Sequence, residues 1–112
     1  MKAACYFYAK KGDTKMGLLD NVKIFYTMKA ALVAARDGRF RLDVSDAIKL
    51  FKAQDWGIVS AADKECNDEA VKNFDMLLGA YETTTQGRLW LIAESSTGRE
   101  YDRLTVLFPD EY

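Results

Sequence analysis

From Leu77 onward the apolar and polar positions of this chain follow a period of two. Leu77–Thr83, Arg88–Glu94 and Arg103–Phe108 carry aliphatic and aromatic residues between polar breaks at Thr84–Gly87 and Ser95–Glu100. This predicts three successive strands joined by tight connections, with Gly87 supplying a positive φ in the first. On the middle strand Trp90 and Ile92 share one face while Leu89, Leu91 and Ala93 share the other, so both faces need cover. Pro109 stops the last strand.

Upstream the period is mostly helical. Val22–Thr27 alternates Val22, Ile24 and Tyr26 against Lys23 and Phe25 and reads as one short strand. Thr27 stands where an N-cap belongs, ahead of the helix formers Met28–Arg36, with Gly38 as terminator and Met28, Ala31, Leu32 and Ala35 as one face. Arg39–Leu42 reads as a connector and Ser45 as the N-cap of Asp46–Gln54, a helix burying Ala47, Ile48, Leu50 and Phe51 and leaving Lys49 and Lys52 in solvent. Asp55-Trp56-Gly57 ends it. Ser60 with Asp63 opens a further helical stretch to about Asp75, bent or recapped around Asn67, with Cys66, Ala70, Phe74 and Leu77 or Leu78 recurring at core spacing. Ala3–Ala9 has a strand-like aromatic centre closed by Lys10–Asp13. The expected fold is an α+β domain: two to three helices packed on a C-terminal three-stranded antiparallel meander, open to extension by N-terminal strands.

Length and composition add bounds. The 112 residues, 49% hydrophobic and 29% charged, suit a single domain with one core rather than a disordered chain. The apolar run at the start is too short to span a bilayer and lacks a cleavage pattern, so a cytoplasmic protein without membrane association is expected. Cys5 and Cys66 lie far apart and outside any C-x-x-C spacing, which points to ordinary thiols packed as small hydrophobes. Net charge is −1, yet residues 1–56 hold eleven Lys and Arg against six Asp and Glu, and residues 57–112 five against eleven. The halves therefore differ in sign, and either could dock an oppositely charged partner.

Asp55-Trp56-Gly57, Asn67-Asp68-Glu69-Ala70, Leu77-Leu78-Gly79-Ala80-Tyr81, Gly87 to Glu94 and Arg103 to Tyr112, in that order, resemble a family of small proteins without an agreed activity, common on plasmids, phages and other mobile elements. Its members end in a strand of the type Trp-Ile-Ile-Thr-Glu, a polar turn and Thr-Val-Leu-Leu-Pro-Glu-Glu-Tyr. The resemblance covers residues 26–112; the turn Ser95–Asp102 is longer here, and residues 1–25 have no counterpart. It implies a genomic setting in which small proteins often inhibit host defence, as anti-CRISPR proteins do, and it implies no chemistry.

Candidate chemistry is sparse. With no histidine the commonest general base and metal ligand is missing, a Ser-His-Asp or Cys-His site is excluded, and the seven glycines form no phosphate cradle. Glu82 and Glu94, with Asp102 or Glu100, are the one carboxylate pairing that adjacent strands could bring together. No catalytic residue, cofactor or metal is expected. The expected function is therefore a non-catalytic protein-interaction module, with Asp63, Glu65, Asp68, Glu69 and Asp75 as an acidic partner-binding face and Trp56, Tyr81 and Trp90 as candidate aromatic anchors. The alternative is single-stranded nucleic-acid binding by Lys10, Lys11, Lys15 and Lys23 interleaved with Tyr6 and Tyr8. A homo-oligomer is compatible with either.

Overall fold

The computed structural model describes residues 17–112. Its elements run β1 (Lys23–Tyr26), α1 (Met28–Arg36), α2 (Gly38–Lys52), α3 (Ala61–Ala70), β2 (Leu77–Glu82), β3 (Arg88–Glu94), β4 (Arg103–Leu107) and a closing 3-10 turn (Pro109–Glu111). The protein is α+β, with three helices and a four-stranded mixed sheet in the order β1-β4-β3-β2. The three strands expected from the period-two pattern are present, but they do not stand as a separate meander. β2, β3 and β4 pair antiparallel, and β1 joins the far edge parallel to β4, with Lys23 beside Arg103 and Tyr26 beside Val106. A strand at the start of the described chain can reach that edge because parallel pairing needs a long crossover, and everything between β1 and β4 serves as one.

The helices cover one face of the sheet. Leu77, Tyr81, Leu89, Leu91, Ala93, Leu104 and Val106 are buried there against Ala30, Phe40, Val44, Ala47, Phe51 and Trp56. Gly79 lies in the same face directly under α2: a Cβ there would stand 2.7 Å from the Phe51 ring and 2.7 Å from the Tyr81 hydroxyl. The opposite face bears Trp90, Ile92, Ala80 and Leu107, of which the last three are buried, and Tyr112 packs edge-on to Trp90 at 5.6 Å.

The expected start of the second helix is corrected. α2 begins at Gly38, not at Ser45, so Arg39–Leu42 is helix rather than connector. Asp37 starts it: its carboxylate accepts from the backbone N–H groups of Arg39 and Phe40 at 3.0 and 3.1 Å, while its own N–H closes α1 on the Val33 carbonyl. This start places Phe40, Val44, Ala47 and Phe51 on the inward stripe, turning Leu50 outward. In α1 the face formed by Met28, Ala31, Leu32 and Ala35 is the outer one. Ala30 is buried and Val33 and Ala34 are half-buried, whereas Met28, Ala31, Leu32 and Ala35 are exposed. Cys66 is exposed rather than packed, and the Ala3–Ala9 segment and Cys5 lie outside the described residues.

Asp37 also holds the β2–β3 turn, accepting from the Thr85 hydroxyl at 2.6 Å and the Gln86 side-chain amide at 2.8 Å. These bonds, the Thr85 bond first, pull its carboxyl from the ordinary 3.8 down to about 2. A depressed carboxyl adds stability that is complete above 3.8 and disappears as pH falls toward about 2. Thermal melts across that window should therefore fall in the native protein more steeply than in Asp37→Asn, which starts lower. Parallel curves would show that the native bonds do not favour the ionised form.

Candidate interaction surface

Helix α3 contributes unusually little to the interior. Ser60 caps it, its hydroxyl accepting from the Asp63 N–H at 3.0 Å, and Asp63 lies in the first turn where the helix dipole favours an anion. Only Asn67 is buried; Asp63, Glu65 and Glu69 are exposed and Asp68 is half-buried. Helix formation here rests on the cap and on polar ties rather than on an apolar stripe.

Those ties are specific. The Asn67 side-chain amide donates to the Leu78 carbonyl at 2.8 Å, and its oxygen accepts from the Leu78 N–H at 3.2 Å. The side chain thus takes the place of a neighbouring strand at that point of the β2 edge. One step along, Ala80 is paired by the Trp56–Ile58 segment: its N–H donates to the Trp56 carbonyl at 3.0 Å and its carbonyl accepts from Ile58 at 2.6 Å. The β2 edge is therefore closed at both residues. Asn67, expected to cap or recap the helix, instead ties the helix to the sheet.

The indole N–H of Trp56 donates to Asp68 at 3.1 Å, fixing the base of α3. Tyr101 donates to the Asp75 carbonyl at 2.7 Å and lies 3.3 Å from the Ala70 carbonyl, holding the turn after α3; burial, then the nearby Asp75 charge, pushes its phenol up to about 12. Burial, then Asp55, pushes the Tyr81 phenol higher still, so neither phenol ionises near neutral pH.

Of the acidic face expected from sequence, Asp63, Glu65 and Glu69 are exposed, Glu65 and Glu69 one turn apart on the side away from Asn67 and Asp63 in the first turn on the side of Asn67; Glu69 makes an exposed pair with Lys72 at 3.3 Å, which surface screening makes weak. Asp68 is occupied by Trp56, and Asp75 is exposed beyond the helix end. Trp56 and Tyr81 are not available as anchors: both are buried, Trp56 edge-on to Phe51 at 5.3 Å and Tyr81 donating to the Asp55 carbonyl at 2.6 Å. Trp90 is half-buried under Tyr112.

Sequence reasoning missed a second acidic group. Asp43, Asp46, Asp55 and Glu82 surround a groove of about 390 Å³ that also takes in Leu50, Ile58 and Tyr81. Asp43 is engaged, paired with Arg39 at 3.1 Å and accepting from the Thr84 N–H at 2.7 Å, which lowers its carboxyl. Asp43, Asp46 and Leu50 fall on one side of a helix only when that helix begins at Gly38; Asp55 and Glu82 arrive by tertiary folding. The Glu82–Glu94 pairing that adjacent strands could have made does not form. Glu82 is opposite Arg88 at one end of the hairpin and Glu94 is opposite Arg103 at the other, on the order of 20 Å away along the strand. Among the described residues no group of three His, Cys, Asp or Glu side chains is placed to hold a metal ion, and no helix is long and apolar enough to cross a membrane.

Of the basic and aromatic residues considered for nucleic acid, Lys10, Lys11, Lys15, Tyr6 and Tyr8 lie outside the described residues. Lys23 is exposed on β1, next to Arg103, whose guanidinium stands 5.5 Å from the Phe25 ring centre. No protein family, curated protein or solved structure matches the chain.

Proposed function

We propose that this protein is a non-catalytic interaction module that offers the exposed carboxylates of α3 to a basic protein surface. The observation that carries the reading is the near-absence of α3 from the core: a ten-residue helix that buries one side chain and exposes Asp63, Glu65 and Glu69 invests its surface in something other than folding. Charge complementarity of this kind speeds encounter and competes with a phosphate backbone for the same basic surface. The mobile-element resemblance, taken with that chemistry, supports an anti-CRISPR-like inhibitor of a host defence or nucleic-acid-handling complex.

The test is capture of partners from nuclease-treated host extract by the native chain and by Asp63→Lys/Glu65→Lys/Glu69→Lys. The exposed Glu65 and Glu69 should change stability by no more than about 0.5 kcal/mol each, and Asp63, in the first turn, by about 1 kcal/mol. A basic partner should be held by the native chain, with association slowed roughly tenfold or more by the triple reversal and by salt. A partner bound equally by both would refute the acidic face. The second reading is single-stranded nucleic acid at Lys23, Phe25 and Arg103, favoured by the cation placed over an exposed ring. In that case capture is seen only from extract not treated with nuclease, and there it persists after charge reversal.

A further inference from the structure

The two edges of the sheet are treated differently. At the β2 edge Leu78 is satisfied by Asn67 and Ala80 by Trp56 and Ile58. At the β1 edge the N–H groups of Lys23 and Thr27 donate inward, to Asp102 at 3.0 Å and Val106 at 3.1 Å. Strand alternation then turns the N–H and C=O of Ile24 and Tyr26 outward, where they have no backbone partner among the described residues. The side chains of this edge are apolar and open to water on both faces: Ile24 is 43% exposed, Phe25 46% and Tyr26 39%. The helix that follows directly continues the pattern, with Met28 76% and Leu32 56% exposed and the exposed Ala31 and Ala35 on the same side.

We infer that β1 and the outer face of α1 form a homodimer interface, in which β1 pairs antiparallel with β1 of a second copy and the two sheets become one of eight strands. A twofold axis at Phe25 sets Ile24 of each copy opposite Tyr26 of the other. All four outward-facing residues then exchange backbone hydrogen bonds, and the two Phe25 rings meet in the closely spaced non-hydrogen-bonded position. Ile24, Phe25, Tyr26, Met28 and Leu32 expose roughly 600 Å² per copy at these fractions, so the apolar area two copies can bury reaches at most about 1,200 Å², the lower end of what a specific interface needs. Residues 23–36 carry Lys23, Lys29 and Arg36 and no carboxylate, so the pairing gains no ion pair from this segment, and the antiparallel register keeps the two Lys23 side chains about 14 Å apart, beyond the ~8–10 Å screening length. The inference is independent of the acidic face of α3.

Sedimentation equilibrium of the full chain tests it, alongside Ile24→Pro and Leu32→Glu. Proline at Ile24 removes an N–H that points away from β4, a replacement edge strands tolerate, whereas Leu32→Glu puts charge on the outer side of α1. The native chain is expected to dimerise, each variant to raise the dimer dissociation constant at least tenfold with an unchanged circular dichroism spectrum, and the Ile24 and Tyr26 amides to gain exchange protection as protein concentration rises. A monomeric native chain, which is the result if its own residues 1–16 or another macromolecule occupies this edge, overturns the inference. A dimer that neither substitution weakens, or whose Ile24 and Tyr26 amides stay unprotected, overturns it too.

Discussion

Gly57→Ala is expected to destabilise the protein by about 3–5 kcal/mol, a loss that only a few mechanisms produce. Gly57 has φ +77°, a conformation that side chains resist, and a Cβ built there would stand 2.0 Å from the Ala80 carbonyl oxygen and 2.8 Å from the Tyr81 ring. The oxygen belongs to a central hydrogen-bonded position of β2, so it cannot swing away as a flexible side chain would. Relief has to come from moving the Trp56–Ile58 segment, which breaks the Ile58 and Ala80 hydrogen bonds that close the β2 edge. Gly87 and Gly98 separate strain from collision, because each has φ +79° with nothing within 4 Å of an added Cβ. Alanine at either should cost only about 1 kcal/mol. Urea midpoints for the three variants decide the matter. Equal losses at all three would show that the backbone conformation, not the contact with Ala80, governs Gly57.

Trp56→Ala should cost about 3–5 kcal/mol, the range for truncating a buried aromatic. The ring is nearly fully enclosed, meets Phe51 edge-on at 5.3 Å, and donates its indole N–H to Asp68 at 3.1 Å. Trp56→Phe keeps an aromatic ring against Phe51 and removes the donor, so its cost should be smaller, about 1–2 kcal/mol from the lost bond and the reduced area. Denaturation of both variants measures the split. If the phenylalanine variant were as unstable as the alanine one, the bond to Asp68 and not the packing would hold this corner. In either case α3 loses its tie to the residue preceding Gly57, so the acidic helix should fray before the sheet does, read as faster amide exchange across Ala61–Ala70.

How far the sequence carries depends on whether the deciding interaction is local. Thr27 and Ser60 were readable as caps because a hydroxyl reaching a backbone N–H three residues on needs nothing from elsewhere in the chain. Asp37 was not, because Asp-Gly after a run of helix formers reads equally as a helix end, and it is both an end and a beginning. Helix α1 is apolar around most of its circumference, so composition cannot choose between Ala30, Val33 and Ala34 and the opposite set; the choice belongs to the sheet it lies on. Asn67 has the composition of a cap and performs an edge-strand role because Leu78 is brought beside it. The carboxylates of α3 were readable as a group since one helix holds them, whereas Asp43, Asp46, Asp55 and Glu82 gather from three segments.

The residue pattern alone determined the α+β class, the positions of β2, β3 and β4, two helix starts and the chemical poverty of a chain without histidine, since each follows from short-range periodicity or from composition. Only tertiary structure decided that β1 joins β4 in parallel, which side of α1 stays wet, and that one sheet edge is closed while the other stands open among the described residues. Those outcomes depend on contacts between segments tens of residues apart, and such contacts leave no periodic trace in the order of the amino acids.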